Sequence, residues 1–271
     1  NGKTLKLGVD YTASGTASSA GVSTQTLTIK AVEGSDYTGS KTAEWRIVPH
    51  KAKVEVGDVI KAYDGTTDLP DGKISLVSAA GSAGYQAGLP LPLSEGNGFE
   101  LTDAKYDSAN ASETEKNISF TVKLTDTNYT FEDGTTEKAF TLNGAELDDK
   151  SFKINKAAAP TNIPTDTLNV INGTQQTYTY DFSKLLPEAP NGDYGTVRYD
   201  LGNQQTAINF TAHGYYIDPE IAEFEGSKLT LVGLYAKDAT ATGQIGTATV
   251  KVTTTNYKDF KLTLVLNAVN R

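Results

Sequence analysis

The residue types best suited to binding chemistry are concentrated in one short segment that contains His213, Tyr215, Tyr216 and Asp218. An aromatic ring can stack on the apolar C–H face of a sugar while a neighbouring acid accepts hydroxyl hydrogens. We therefore identify these four residues as a candidate ligand-binding platform for a glycan. The alternative is structural. Tyrosine is common in sandwich strands, and adjacent residues of an extended strand point to opposite faces, so at least one of the two tyrosines is expected in the core.

Oxygen ligands for calcium are available in a second segment. Asp126-Thr127-Asn128 is followed by Glu132-Asp133-Gly134, and calcium prefers about six to eight oxygens from alternating loop positions. However, Thr130 and Phe131 stand where a further acid and a glycine are expected. The sequence therefore favours ordinary surface turns over a metal site, and neither a metal nor a cofactor is expected.

Few residues in this chain are of the types that commonly carry out catalysis. There is no cysteine and there are only two histidines, His50 and His213, which excludes thiolate nucleophiles and disulfides and disfavours His-rich metal sites. No Gly-x-Ser-x-Gly string is present. With 33 acidic residues, chance pairs of carboxylates are expected, and no segment singles out a pair suited to glycoside hydrolysis. We predict that the protein is not an enzyme.

Three further features are interpreted as structural. Tyr63-Asp64-Gly65 predicts a turn, because Asp bonds forward to the backbone and Gly accepts a positive φ while Tyr packs beneath; a binding loop is the alternative. Trp45 alternates with Ala43 and Ile47, which predicts a buried core tryptophan. Asn267 in the last apolar run is a possible acceptor for a Lys–Asn isopeptide bond, but no spacing identifies a lysine partner.

Composition restricts the classes of partner. The chain of 271 residues has a net charge of −9 and no cluster of Lys and Arg, so nucleic acid and anionic membrane surfaces are disfavoured. No stretch approaches the roughly 20 apolar residues of a membrane span. The absence of cysteine fits an exported protein. The absence of methionine leads us to expect a segment of a longer chain.

The elements that must position these residues are predicted to be β-strands. Apolar and polar residues alternate in Thr26–Lys30, Ile118–Leu124, Ala248–Val252 and Phe260–Leu266, a pattern typical of strands with one face in a core. The best helical candidate, Phe182–Leu186, is ended by a proline after about one turn. Many short strands separated by turn residues favour β-sandwiches.

A weak repeat suggests where modules end. An acid or amide followed by Tyr precedes a closing strand at Asp36-Tyr37, Asn128-Tyr129 and Asn256-Tyr257. These three module ends predict boundaries near His50 and near Ala158, and the proline that follows the second boundary should limit bending there. The resulting modules span residues 1–50, 51–157 and 158–271. The first is short for an independent core, and a two-domain division with the first strands annexed to the second domain is the alternative.

The order of these motifs resembles repeats of large bacterial surface proteins. Lys61–Thr67, with its Tyr-Asp-Gly-Thr-Thr string, resembles the YDG repeat domains, and Asp10–Thr12 with Asp36–Gly39 is similar to the second half of MBG-type repeats. Gly243–Val252 is similar to the closing strands of bacterial Ig-like (Big) domains. The junction Lys156–Pro160 resembles those of multidomain surface proteins of gut Firmicutes.

The resemblance implies an all-β protein of tandem immunoglobulin-like β-sandwich modules in an elongated arrangement. The modules would be a partial MBG-type module, then a YDG-like module and a Big-like module. It also implies an extracellular location, on the surface or cell wall of a bacterium, and brings no catalytic residues. Two functions stay open at this point: a non-catalytic stalk or spacer, and an adhesive module that binds host glycan or extracellular protein.

Overall fold

The structure is a computed structural model that describes residues 2–15, 21–82, 84–173, 175–211, 222–234, 240 and 242–270. Within these ranges the chain consists mainly of strands, with two 3₁₀ turns, Gly144–Glu146 and Phe182–Leu185, and one α-helical turn, Gln204–Ala207. None of the helical segments in this part of the chain is long and apolar enough to cross a membrane. The strands are β1 (Tyr11–Gly15), β2 (Ser23–Ala31), β3 (Ser40–Ile47), β4 (His50–Val56), β5 (Val59–Ala62), β6 (Ile74–Ser78), β7 (Ser94–Glu95), β8 (Gly98–Tyr106), β9 (Asn117–Leu124), β10 (Tyr129–Phe131), β11 (Glu137–Asn143), β12 (Phe152–Asn155), β13 (Asp166–Ile171), β14 (Gln176–Asp181), β15 (Val197–Asp200), β16 (Ile208–Phe210), β17 (Ala222–Glu225), β18 (Lys228–Leu234), β19 (Gly243–Thr254) and β20 (Phe260–Val269).

The fold class predicted from the alternating pattern, all-β, is confirmed. In β9 the buried residues are Ile118, Phe120, Val122 and Leu124, and the residues between them are half-buried or exposed. β20 alternates in the same way over its whole length. A strand with this pattern presents one face to a core and the other to solvent.

The chain divides into two compact units, each assembled from separate stretches of sequence. Unit 1 comprises Asn1–Gly57, Asp71–Lys105 and Ser119–Leu142, and unit 2 comprises Asp58–Pro70, Tyr106–Ile118 and Asn143–Arg271. The module boundaries expected near His50 and Ala158 stay a prediction.

The N-terminal sheet of unit 1, formed by β1, β2 and β3 in that order, is an antiparallel meander. Leu27 pairs with Ala43 and Gln25 pairs with Trp45, which places Leu27, Trp45 and Ile47 on one face. No described residue between positions 2 and 50 is buried. The expectation of a buried Trp45 is therefore wrong: the side chain is only half-buried, because the face on which it lies is not enclosed.

The core of unit 1 begins at Ala52 in β4, the first buried residue of the chain as described. β4 lies between β10, to which it is parallel, and β6, to which it is antiparallel. A second sheet has the order β11-β9-β8-β7. Phe120 and Phe131 are buried, and both rings contact Phe140, with centroids 5.2 and 6.4 Å away.

Unit 2 contains two larger sheets. One has the order β13-β20-β19-β15, with β16 paired to β19, and the other has the order β14-β18-β17. β13 and β20 run parallel, in register from Asp166 opposite Leu264 to Ile171 opposite Val269. β5 and β12 form a further parallel pair. Alternate residues of β18 and β20 are buried. Each of the two sheets therefore has one buried face, as in a β-sandwich.

The second 3₁₀ turn, Phe182–Leu185, coincides with the predicted helical segment Phe182–Leu186. Asp181 caps the turn by accepting a hydrogen bond from the Ser183 backbone N–H at 3.0 Å. The Phe182 ring is fully buried and contacts the rings of Tyr180 and Phe224, at centroid distances of 5.5 and 6.5 Å. The turn therefore places an aromatic side chain in the core of the sandwich.

Candidate functional site

The four residues of the predicted glycan platform, His213, Tyr215, Tyr216 and Asp218, lie outside the described residues. Their role as a ligand-binding site stays a prediction. The described residues hold two other groups of polar and aromatic side chains, one in each unit.

The candidate calcium residues form turns. One Asp126 carboxylate oxygen accepts hydrogen bonds from the backbone and side-chain N–H groups of Asn128, both at 2.9 Å. One Asp133 oxygen accepts from the backbone and hydroxyl of Thr135 at 3.0 and 2.6 Å, which holds the pKa of Asp133 down at about 2. Each acid thus caps its own turn. No group of three or more acidic or imidazole side chains suited to a metal ion occurs in the ranges described.

The Tyr63-Asp64-Gly65 segment is also a turn, as predicted. Asp64 accepts hydrogen bonds from the Lys61 ammonium at 2.8 Å and from the Thr66 backbone at 2.9 Å. Burial alone would raise the pKa of Asp64, but these donors outweigh it and hold that pKa below its usual value. Tyr63 packs beneath the turn with 4% of its surface exposed.

In unit 2, Tyr63 belongs to a cluster that also contains Tyr194, Asn256 and Tyr257, which we name the tyrosine–asparagine junction. Tyr257 contacts the rings of Tyr63 and Tyr194, with centroids 5.5 and 5.1 Å away and interplanar angles of 74° and 61°. All four residues are buried. Edge-to-face packing of this kind places the positive edge of one ring against the negative face of the next.

The tyrosine hydroxyls of the junction bind the backbone of the loop that precedes β15. The Tyr63 hydroxyl accepts a hydrogen bond from the Asp193 N–H at 3.0 Å. The Tyr257 hydroxyl accepts from the Asn191 N–H at 2.7 Å and donates to the carbonyl of the same residue. Three of the polar groups of this loop are thus satisfied by tyrosines.

Asn256 is the most enclosed polar residue of the junction, with 0% of its surface exposed. Its side-chain oxygen accepts a hydrogen bond from the Ala111 N–H at 2.9 Å. Its amide group lies 3.1 Å from acceptors on Asn110 and Asp193. Its backbone carbonyl accepts from the Ala157 N–H at 2.9 Å. Through its side chain and its backbone carbonyl, Asn256 therefore contacts three separate stretches of sequence.

Two glycines permit a close approach of backbones at the junction. A Cβ on Gly65 would lie 3.2 Å from the Cα of Gly192, and a Cβ on Gly192 would lie 2.4 Å from the Tyr63 hydroxyl. Both glycines have positive φ, +84° and +53°. The glycine of the Tyr-Asp-Gly string therefore serves both the turn and this contact.

In unit 1, a groove lies at the start of β4, where β10 pairs with it in parallel and sets Tyr129 beside His50. The ring centroids are 6.0 Å apart and the planes are inclined by 69°, so the two rings form a corner. The His50 Nε2 atom lies 2.9 Å from the Ser78 hydroxyl. We name this feature the His50–Tyr129 groove.

The His50–Tyr129 groove encloses a volume of about 420 Å³. The lining residues are Gly21, Val22, Ile47, Val48, His50, Leu91, Asp126, Asn128 and Tyr129. Sequence reasoning missed this site because its residues come from four separate stretches of the chain. The same residue types that marked the predicted platform, histidine, tyrosine and aspartate, are brought together here by strand pairing.

Among the described residues, every carboxyl group with a perturbed pKa has that pKa lowered, which favours the ionised form. A hydrogen bond from the Tyr180 hydroxyl lowers the pKa of Asp166, and a hydrogen bond from Lys251 lowers that of Asp259. Glu115 accepts from Ser151, Phe152 and Lys153, which outweighs the effect of its burial on its pKa. A general acid requires the opposite, a raised carboxyl pKa.

Comparison with known proteins leaves the family open. No protein-family model matches the chain, and no curated protein matches its sequence. Solved structures with some similarity include cadherin and immunoglobulin domains. The human desmocollin-1 ectodomain is 10% identical with a TM-score of 0.26, the chain aligning over 92% of its own length and 47% of the ectodomain. A mouse cadherin-23 segment is 8% identical with a TM-score of 0.30, over 93% of this chain and 76% of that one. The chain spans about half the length of the desmocollin-1 ectodomain.

Proposed function

We propose that this chain is a non-catalytic extracellular segment of a larger bacterial cell-surface protein, in which it acts as a structural stalk or spacer. The resemblance of the Tyr-Asp-Gly-Thr-Thr string and its neighbouring motifs to bacterial surface repeats supports the cellular setting. The tyrosine–asparagine junction is the observation that best supports the role as a stalk or spacer.

A spacer must resist bending where one part of its chain meets the next. At the junction, Tyr63 and Ala111 precede Ala158, whereas Asp193 and Asn256 follow it, yet their polar groups are hydrogen-bonded to each other. Because these groups are buried, separation of the segments would leave donors and acceptors without partners or bring water into the core. The junction therefore ties the chain on both sides of Ala158 into one compact unit.

Several acidic side chains also stabilise local structure through hydrogen bonds. Asp64, Asp133 and Asp181 each accept hydrogen bonds from residues of their own turn, and Glu115 binds the start of β12. Their lowered pKa values follow from these bonds. These carboxylates stabilise turns and a strand end, and this structural use supports a non-catalytic role for the chain.

The structural role can be tested by ¹⁵N relaxation on the full chain. Amides of Tyr106–Ile118 and of Val197–Asp200 should report one rotational correlation time in the wild-type protein. The Asn256→Ala variant should give the two segments more independent motion, whereas Asn117→Ala, which changes an exposed asparagine of β9, should not. Independent reorientation of the two segments in the wild-type protein would refute the proposal.

A second candidate function, adhesion to host glycan or extracellular protein, is favoured by the His50–Tyr129 groove. Its rings, its exposed valines and the second carboxylate oxygen of Asp126 form a surface that no structural role described above requires. Val48 and Val22 are 63% and 40% exposed, and large apolar side chains grouped at a groove are typical of binding surfaces.

A further inference from the structure

We propose that the His50–Tyr129 groove binds the ring of a neutral hexopyranose, with one apolar face of the sugar on the aromatic corner and hydroxyl groups on Asp126. This inference specifies the second candidate function and is independent of the structural role of the tyrosine–asparagine junction, which lies in the other unit.

The aromatic corner provides the stacking surface. Tyr129 and His50 are each half-buried, so parts of both rings stay accessible while their positions are fixed by the parallel pairing of β10 with β4. The inclination of 69° gives two surfaces that meet at an angle rather than one flat plate. A rigid aromatic ring with few free torsions loses little entropy when a sugar stacks on it.

Apolar residues continue this surface. Val22, Ile47, Val48 and Leu91 line the groove. They come from the start of β2, the end of β3 and the loop after β6. Binding sites for small molecules have largely apolar walls with a few fixed polar groups. A pyranose ring matches this pattern, because its axial C–H groups form an apolar face and its hydroxyls lie around the edge.

The polar groups of the groove are suited to hydroxyl recognition. One oxygen of Asp126 is occupied by Asn128, whereas no donor among the described residues bonds to the other oxygen. The Tyr129 hydroxyl likewise makes no hydrogen bond within the described part of the chain. A fixed carboxylate oxygen next to a hydroxyl can accept and donate to neighbouring sugar hydroxyls, and bonds to a charged acceptor are the stronger ones.

The charge of the groove selects a neutral sugar. Its lining includes one carboxylate and neither Lys nor Arg, and the chain as a whole carries −9. Sialylated, sulfated and phosphorylated sugars would be repelled by the carboxylate and would find no cation. The volume of about 420 Å³ lies at the lower end of the range for small-molecule sites, about 300–1,000 Å³.

The experiment is an NMR titration of the full chain that follows the imidazole signals. The chain has two histidines, and the His213→Gln variant assigns the remaining signal to His50. The probes are methyl β-galactopyranoside, methyl α-mannopyranoside and N-acetylglucosamine, with glucuronic acid and Nα-acetyl-lysine amide as the anionic and cationic comparisons. We expect at least one neutral sugar to move the His50 signal with a Kd on the order of 1 mM, which is the range that one sugar ring reaches at ordinary ligand efficiency.

Matched variants locate the site. Asp126→Asn keeps the oxygen that caps the turn but removes the charge, and it should weaken sugar binding about tenfold or more. Asp133→Asn changes the next capping aspartate along the chain, which does not line the groove, and it should leave the Kd unchanged. Tyr129→Phe, which keeps the ring, should weaken binding less than Tyr129→Leu.

The outcomes are distinct. A saturable shift of the His50 signal by a neutral sugar, reduced in Asp126→Asn and retained in Asp133→Asn, supports the proposal. If the lysine amide moves the signal and no sugar does, the groove is a site for cationic side chains and the sugar assignment is wrong. If none of the probes moves the signal, the groove is not a small-molecule site. None of these results affects the junction, which the relaxation experiment tests separately.

Discussion

Asn256 gives the sharpest prediction, because it is fully buried and all of its polar atoms have partners. Replacement by alanine removes the oxygen that accepts from the Ala111 N–H at 2.9 Å, and Ala111 is itself only 7% exposed. A buried donor left without a partner costs about 1–3 kcal/mol. The neighbouring acceptors on Asn110 and Asp193 belong to exposed residues and can turn to water, so their loss adds about 1 kcal/mol.

The expected effect of Asn256→Ala is therefore a decrease of about 3 kcal/mol in the free energy of unfolding, a large part of the roughly 5–15 kcal/mol that ordinary domains possess. Urea denaturation monitored by circular dichroism measures this loss, and amide hydrogen exchange at Ala111 reports it locally. Asn117→Ala is the control and should change stability by less than about 0.5 kcal/mol.

The reasoning can be checked further with Asn256→Asp, which keeps the acceptor for Ala111. It loses both N–H donors and places a carboxyl close to the Asp193 carboxylate, whose oxygen lies 3.2 Å from the Asn256 amide. Burial and the nearby negative charge raise the pKa of the introduced carboxyl in the folded state. The variant should therefore recover stability as pH falls and the group binds a proton. A loss below about 1 kcal/mol in Asn256→Ala, with Ala111 exchange unchanged, would show that the junction is not held by this side chain.

Three further predictions concern the same unit. Tyr63→Phe removes the acceptor for the Asp193 N–H and should lower stability in urea by about 1 kcal/mol. Gly192→Ala introduces a Cβ 2.4 Å from the Tyr63 hydroxyl and should cost more than the roughly 1 kcal/mol of an unfavourable φ alone, measured as a shift in Tm. Hydrogen bonds from Ser183 and Ser227 lower the pKa of Asp181 to about 2, so its stabilising contribution should disappear as pH falls from about 4 to about 2, and Asp181→Asn should flatten this part of an acid titration.

Each of these changes has a control of the same chemical type. Tyr85 is 44% exposed, and Tyr85→Phe should leave stability unaltered. Gly202 has a φ of +63° with nothing near its absent Cβ, so Gly202→Ala isolates the backbone effect. Asp148→Asn removes a carboxylate for which no comparable bonds exist within the described ranges, and its acid titration should match that of the wild-type protein. If a variant and its control lost equal stability, the structural role given to the variant's residue would be contradicted.

The strands were predictable from the sequence because alternating burial is a local property. The runs Thr26–Lys30, Ile118–Leu124, Ala248–Val252 and Phe260–Leu266 all lie within observed strands. The turn at Tyr63-Asp64-Gly65 was predictable for the same reason, since Asp64 bonds to Thr66, two residues away.

What sequence reasoning missed depends on contacts between distant residues. Tyr63 and its partner Asp193 are 130 positions apart, and nothing in a strand pattern indicates that β10 pairs in parallel with β4 to bring Tyr129 to His50. The error at Trp45 has the same origin. Alternation shows which face of a sheet is apolar, but burial depends on what covers that face, and the N-terminal sheet has no buried residue within the described ranges.

The parallel pairing of β13 and β20 determines how this part of the chain responds to a pulling force. β13 is the first strand after Ala158 and β20 is the last strand of the segment. If tension acts on the chain before β13 and after β20, the two neighbours are drawn lengthwise past each other, because in a parallel pair the pulled ends lie at opposite ends of the ladder. All the hydrogen bonds from Asp166 to Ile171 then share the load at once, whereas an antiparallel pair would open one bond at a time. A segment that holds a protein on a surface exposed to flow would gain mechanical endurance from this geometry.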